Sequence, residues 1–132
     1  MKDGDVITWE RTFTVDDIQL FGRLSGDQGE HHVVPDEKGR VMVQGLLTAT
    51  LPTKIGGDLN FIARELTFQF LRPVFAGDTV RCEVTVGGLE ATEQYTRMSF
   101  TWVCRNQHGK EVLTGSGHGV IRSLQQTSRD FI

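Results

Sequence analysis

The sequence predicts an α+β domain in which an antiparallel sheet covers one apolar helix, and three observations carry that expectation. Ile18, Phe21 and Leu24 recur at helical spacing and an apolar run from Gly45 reads as a second helix, whereas from Asn60 onward the period is two. The 132 residues suffice for one domain with a real core and not comfortably for two, so the domain is expected to span 1-132. A hydrophobic share of 38% and a formal charge of −3 fit a soluble globular chain, with no basic excess for nucleic acid.

Residues 6 to 13, VITWERTF, read as a first strand. Thr14 then caps a short amphipathic helix with Asp16 and Asp17 in its first turn and Ile18, Phe21 and Leu24 on one face, ending at Ser25-Gly26. Gly26 and Gly29 mark the next stretch as a loop, and Pro35 and Gly39 punctuate it further. A second helix is expected from Gly45 to Ile55, stopped by Gly56-Gly57, with Pro52 kinking it, ending it near Leu51 or restarting it there.

Four strand regions follow. Phe61 to Phe70 loses its alternation around Arg64-Glu65, which predicts a bulge. Val80, Cys82, Val84 and Val86 alternate with polar residues after a turn at Pro73 and Gly77-Asp78, and Met98, Phe100, Trp102 and Cys104 share a face of the strand after that. Asn106 to Gly109 forms a hairpin turn into the last strand, where Leu113, Gly115, Gly117, Gly119 and Ile121 share a face that the helix or a ligand can approach closely. His118 lies on the other face, and residues 123-132 are expected to be a flexible tail.

Chemistry concentrates between Leu24 and Gly57. A carboxylate and an imidazole held on one loop can share a water and do general acid/base work, and Asp27 with a following histidine offers that pair. The competing reading makes Asp27 a turn former. Composition does not choose between His31 and His32. At Gln44-Gly45 the helix opens with unpartnered N–H groups and no side chain on Gly45, so a ligand oxygen can approach the peptide as it would an oxyanion hole. Cys82 and Cys104 sit in strand patterns rather than in a ligand spacing, so no metal is expected. No apolar run reaches the length of a bilayer, and Met1 to Asp5 lacks the apolar segment of a secretory signal; a cytoplasmic protein without membrane insertion is expected.

LSGDQGEHH followed by MVQGLL resembles the signature of the MaoC-like, (R)-specific enoyl-CoA hydratases, and FIARELTFQFLRPVFAGDTVRCEVTV is similar to that family's strand, Pro-Val, Gly-Asp turn and returning strand. The likeness runs from Phe13 to Ile121. Gly29-Glu30 stands where the family has Asn-Pro, and Gln44 where it usually has histidine. The resemblance implies a hot-dog fold, a sheet wrapped around a central helix. It selects His32 rather than His31, and implies that Asp27 and His32 are the catalytic pair, that the Gly45 N–H is the oxyanion donor, and that Gln44 and Leu46 contact substrate. It further implies reversible hydration of a trans-2-enoyl thioester of CoA or acyl-carrier protein, no metal or redox cofactor, and a homodimer. A hot-dog thioesterase and a non-catalytic acyl-thioester-binding module are the alternatives.

Overall fold

The computed structural model describes residues 1–122, so the tail expected at 123–132 lies outside the described residues. Five strands form one antiparallel sheet: β1 (Val6–Thr12), β2 (Phe61–Phe70), β3 (Thr79–Ala91), β4 (Tyr95–Arg105) and β5 (Glu111–Arg122), in the order β1-β3-β4-β5-β2. The last three make a meander by tight reversals. β2 crosses to pair with β5, which leaves β1 and β2 as the two edges.

The alternation read from the sequence becomes the core. Val80, Cys82, Val84 and Val86 of β3 and Met98, Phe100, Trp102 and Cys104 of β4 are buried on the side of the sheet that faces Leu47, Leu51 and Ile55. Full burial of an aliphatic side chain contributes about 1.5–3 kcal/mol, so this inner face holds the helical layer against the sheet. Helix α1 (Val15–Ser25) begins as expected: Thr14 Oγ1 accepts from the Asp17 N–H while the Asp17 carboxylate accepts from the Thr14 N–H.

The central helix is not continuous. It divides into α3 (Gly45–Thr48) and α4 (Thr50–Asp58), with the break at Ala49. Pro52 has no N–H for the Thr48 carbonyl, and its ring crowds the same carbonyl, so the interruption falls upstream of the proline. The Thr50 hydroxyl takes up the Leu47 carbonyl. Nor do Gly56-Gly57 stop α4, which runs on to Asp58; the left-handed turn falls to Asn60, at φ 57°. Among the described residues no helix is long and apolar enough to cross a membrane.

The bulge in β2 is a register shift between Ala63 and Glu65. β3 extends to Ala91, beyond the Val86 read from the alternation, through a second shift at Gly87–Glu90. The β5 glycines make room for the backbone and side chains of neighbouring strands rather than for the helix: a Cβ on Gly115 or Gly119 would collide with the Thr67 or Ile62 carbonyl oxygen of β2, respectively. A Cβ on Gly117 would stand 2.6 Å from Leu66 Cδ2 and 3.2 Å from Trp102 Cη2, and one on Gly119 would stand 2.8 Å from Phe61 Cζ.

Candidate active site

Asp27 is thrown out of α1 by a defined stop. Gly26 turns left-handed at φ 80° with its N–H on the Gly22 carbonyl, and Ser25 Oγ donates to the Phe21 carbonyl while accepting from the Asp27 N–H at 3.0 Å. The segment expected to be an irregular loop then forms one helical turn, α2 (Glu30–Val33). That turn separates the two histidines. His32 is buried at 7% exposure, whereas His31 remains exposed with its ring tilted against that of His32 at 3.9 Å.

His32 Nδ1 lies 2.7 Å from the Met42 carbonyl oxygen. A carbonyl only accepts, so Nδ1 carries the proton and, in the neutral ring, Nε2 is left with its lone pair. Nε2 is 3.7 Å from Asp27 Oδ2. One water at about 2.8 Å from both atoms fits that separation. The two side chains line a cavity of about 180 Å³ together with Gln44, Gly22, Ile18 and Val41. A buried imidazole base facing a half-exposed carboxylate across such a space is an arrangement for moving a water's proton.

Gly45 lies on the other side of His32, in a hollow with His31, Thr48, Phe70 and Arg72 that His32 also lines. As the first residue of α3 its amide has no intrahelical acceptor, and with only four residues in α3 the donor is this single N–H rather than a long helix dipole. Phe70 of β2 covers the position: a Cβ there would stand 2.8 Å from its Cε1. The two residues that the resemblance implies contact substrate sit differently: Gln44 borders the Asp27–His32 cavity, whereas Leu46 does not. Gln44 is 1% exposed, with its side-chain amide on the Ile18 and Asp27 carbonyls, and Leu46 is 59% exposed and lines neither hollow. Sequence reasoning missed the Met42 carbonyl, which any residue supplies, and Phe70, whose approach depends on tertiary packing alone.

No family model matches the chain. It is 30% identical over 125 residues to the (R)-specific enoyl-CoA hydratase of Rhodospirillum rubrum, an alignment covering 87% of this chain and 84% of that one. It is 23% identical to the mitochondrial 3-hydroxyacyl-[acyl-carrier-protein] dehydratase of Arabidopsis thaliana, over 98% of this chain and 82% of that one. Among solved structures, the (R)-hydratase from A. caviae involved in PHA biosynthesis superposes with a TM-score of 0.80 at 27% identity, over 92% of this chain and 96% of the other. The sheet around a broken central helix is thus the hot-dog framework of those hydratases, and the chain belongs to the MaoC-like (R)-specific hydratase and dehydratase family.

Proposed function

We propose that the protein catalyses reversible hydration of trans-2-enoyl thioesters to (R)-3-hydroxyacyl thioesters, and that the pair of buried His32 and half-exposed Asp27 carries the reaction. The observation behind this reading is the 3.7 Å separation of His32 Nε2 and Asp27 Oδ2, with the Nδ1 proton committed to Met42. Asp27 accepts a hydrogen bond from one O–H of a water. His32 Nε2 takes the proton of the other as the oxygen bonds to C3. Electron density moves through C2 onto the thioester oxygen, where the Gly45 N–H stabilises it, and the proton held at the site is delivered to C2 as the enolate collapses. Water is added with no net change of oxidation state, so no redox group takes part.

The same reading makes the acyl thioester, on CoA or on acyl-carrier protein, the partner in a cytoplasmic setting. An apolar cavity of about 180 Å³ beside α4, lined by Gly56, Gly57, Phe61, Phe68, Phe100 and Trp102, suits its hydrocarbon chain. A homodimer is part of the proposal. β2 is an edge strand on which Leu66 and Phe70 are exposed, followed by exposed Leu71, and an unpaired edge of that kind favours a second copy.

The test is hydration of crotonyl-CoA and longer enoyl-CoA substrates, followed by loss of enoyl absorbance with free-thiol detection alongside. Absorbance loss without thiol release is expected. Thiol release would replace the hydratase with a thioesterase, and binding without either change would make the chain an acyl-thioester-binding module.

A further inference from the structure

We infer that Gln44 is a positioning residue that sets the Asp27 carboxylate against His32, a role that rests on the hydratase reading and gives this side chain a task other than substrate contact. Gln44 stands at the N-cap of α3 but makes no capping bond; its side chain turns inward instead. Nε2 donates to the Ile18 carbonyl at 2.9 Å and to the Asp27 carbonyl at 3.4 Å. Both partners are acceptors, so the NH₂ end is fixed in that direction and no flip of the amide satisfies them.

This orientation has a cost that an apolar side chain would avoid. Oε1 is buried without a hydrogen-bond partner among the described residues, and a buried acceptor left unsatisfied is destabilising. A polar group retained at such a place is expected to secure something through its other end. Here the other end holds Asp27, whose segment has no regular secondary structure between α1 and α2. Ser25 Oγ fixes the Asp27 N–H and Gln44 fixes the Asp27 carbonyl, so the residue is held through the peptides on both of its sides. Gly22 packs beside this meeting: a Cβ on it would stand in ordinary van der Waals contact with the Asp27 carbonyl oxygen and Gln44 Nε2, each at 3.5 Å.

The geometry extends to the imidazole. Met42 and Gln44 are alternate residues of one segment; the Met42 carbonyl accepts from His32 Nδ1, and the Gln44 side chain holds Asp27. One short piece of chain therefore sets both partners of the pair, and its next residue is Gly45. Displacing a reacting group by about 1 Å can lower turnover about 100-fold, so loss of the tether should act on kcat through Asp27.

The test is Gln44→Met, which keeps the length and removes both the donor and the orphaned oxygen. We expect kcat for crotonyl-CoA to fall roughly 10- to 100-fold, KM to stay within about twofold, and the melting temperature not to fall in proportion. In an Asp27→Asn background the same change should cost almost nothing, because the effect runs through that carboxylate. Normal kcat in Gln44→Met, or losses that multiply in the double variant, would overturn the proposal. A readout without turnover separates this from the hydratase reading: the backbone resonances of Asp27 and Gln28, whose shared peptide carries the tethered carbonyl, should move in Gln44→Met. If the unmodified protein hydrates no enoyl thioester, the reaction assignment fails while those resonances still decide the tether. Should the variant not fold, the Gln44 side-chain NH₂ protons of the unmodified protein must exchange slowly with solvent, and rapid exchange would overturn the tether.

Discussion

Gly45→Ala is the sharpest perturbation of the proposed reaction, because it adds one methyl group beside the amide assigned to the thioester oxygen. That methyl would stand 2.8, 3.1 and 3.3 Å from Cε1, Cδ1 and Cζ of Phe70. Ordinary carbon contacts lie at about 3.5–4.0 Å, so the ring must withdraw by roughly 0.7 Å. Phe70 is 54% exposed and its side chain has room to turn outward. Gly45 does not have a positive φ, so alanine meets no backbone strain. The fold should therefore lose no more than about 1 kcal/mol. Turnover is another matter: forcing the oxygen off a donor of this kind costs about 3 kcal/mol in the transition state, or roughly 100-fold in kcat. Steady-state hydration kinetics with circular dichroism measure both quantities. A natively folded Gly45→Ala with normal turnover would refute the oxyanion role. Phe70→Ala added to it is the control: recovery of turnover in the double variant would place the loss on the displaced ring and not on the amide.

Asp27→Asn and His32→Ala should each lower kcat by about 10²–10⁴, and the double variant should be hardly worse than either, since both act on one water; losses that multiply would mean independent roles. Only His32→Ala should lower the melting temperature as well, because it removes a buried ring and leaves the Met42 carbonyl open. For Asp17, burial pushes the carboxyl up, but the Thr14 N–H and the Arg11 guanidinium at 2.7 Å pull it further the other way, leaving it below its ordinary 3.8. A depressed carboxylate contributes stability that is complete above the unfolded value and is lost as pH falls through the folded one. Asp17→Asn should therefore melt below the wild type at neutral pH, with the gap closing under acid below 3.8; a gap independent of pH in thermal melts would contradict this. Cys82 and Cys104 face each other across β3 and β4 at 0% exposure, and the neighbouring Cys82 thiol together with burial pushes the Cys104 thiol up. Thiol reagents should modify neither faster than the protein unfolds, and stoichiometric labelling of the native protein would show that the strand pair opens.

What was legible in the sequence followed from how many residues repeat a signal. Val80 to Val86 and Met98 to Cys104 alternate over several positions, and the same residues form the buried inner face. Thr14 with Asp17 three positions on announced the start of α1 by a reciprocal bond that both side chains make. The one-turn helix α2 offers no such repetition, since four residues complete barely one period. The break at Ala49 was displaced from Pro52 for a related reason: proline acts on the carbonyl four residues earlier, so the visible residue and the structural event do not coincide.

The candidate site divides along the same line. Asp27 and His32 were visible as residue types, but the choice against His31 came from the spacing of a known signature, because adjacent side chains look alike until one of them is buried. Burial separates them: α2 turns His32 inward onto the Met42 carbonyl and leaves His31 in solvent. The resemblance implies that Gln44 and Leu46 contact substrate, yet Gln44 is the extended N-cap of α3 and Leu46 lies in its first turn, so their side chains leave the backbone in different directions. Gln44 turns into the interior beside Asp27 and His32, and Leu46 into solvent. In extended chain, carbonyls lie along the strand plane and side chains stand out from it, so Met42 and Gln44 hold His32 and Asp27 from one stretch of backbone by different groups, a carbonyl and a side-chain amide. A sequence records only the second of these. The histidine's anchor is a peptide oxygen present at every position, and for that reason substitutions of the Met42 side chain should leave the His32 orientation intact where substitutions that shift the 42–44 backbone should not.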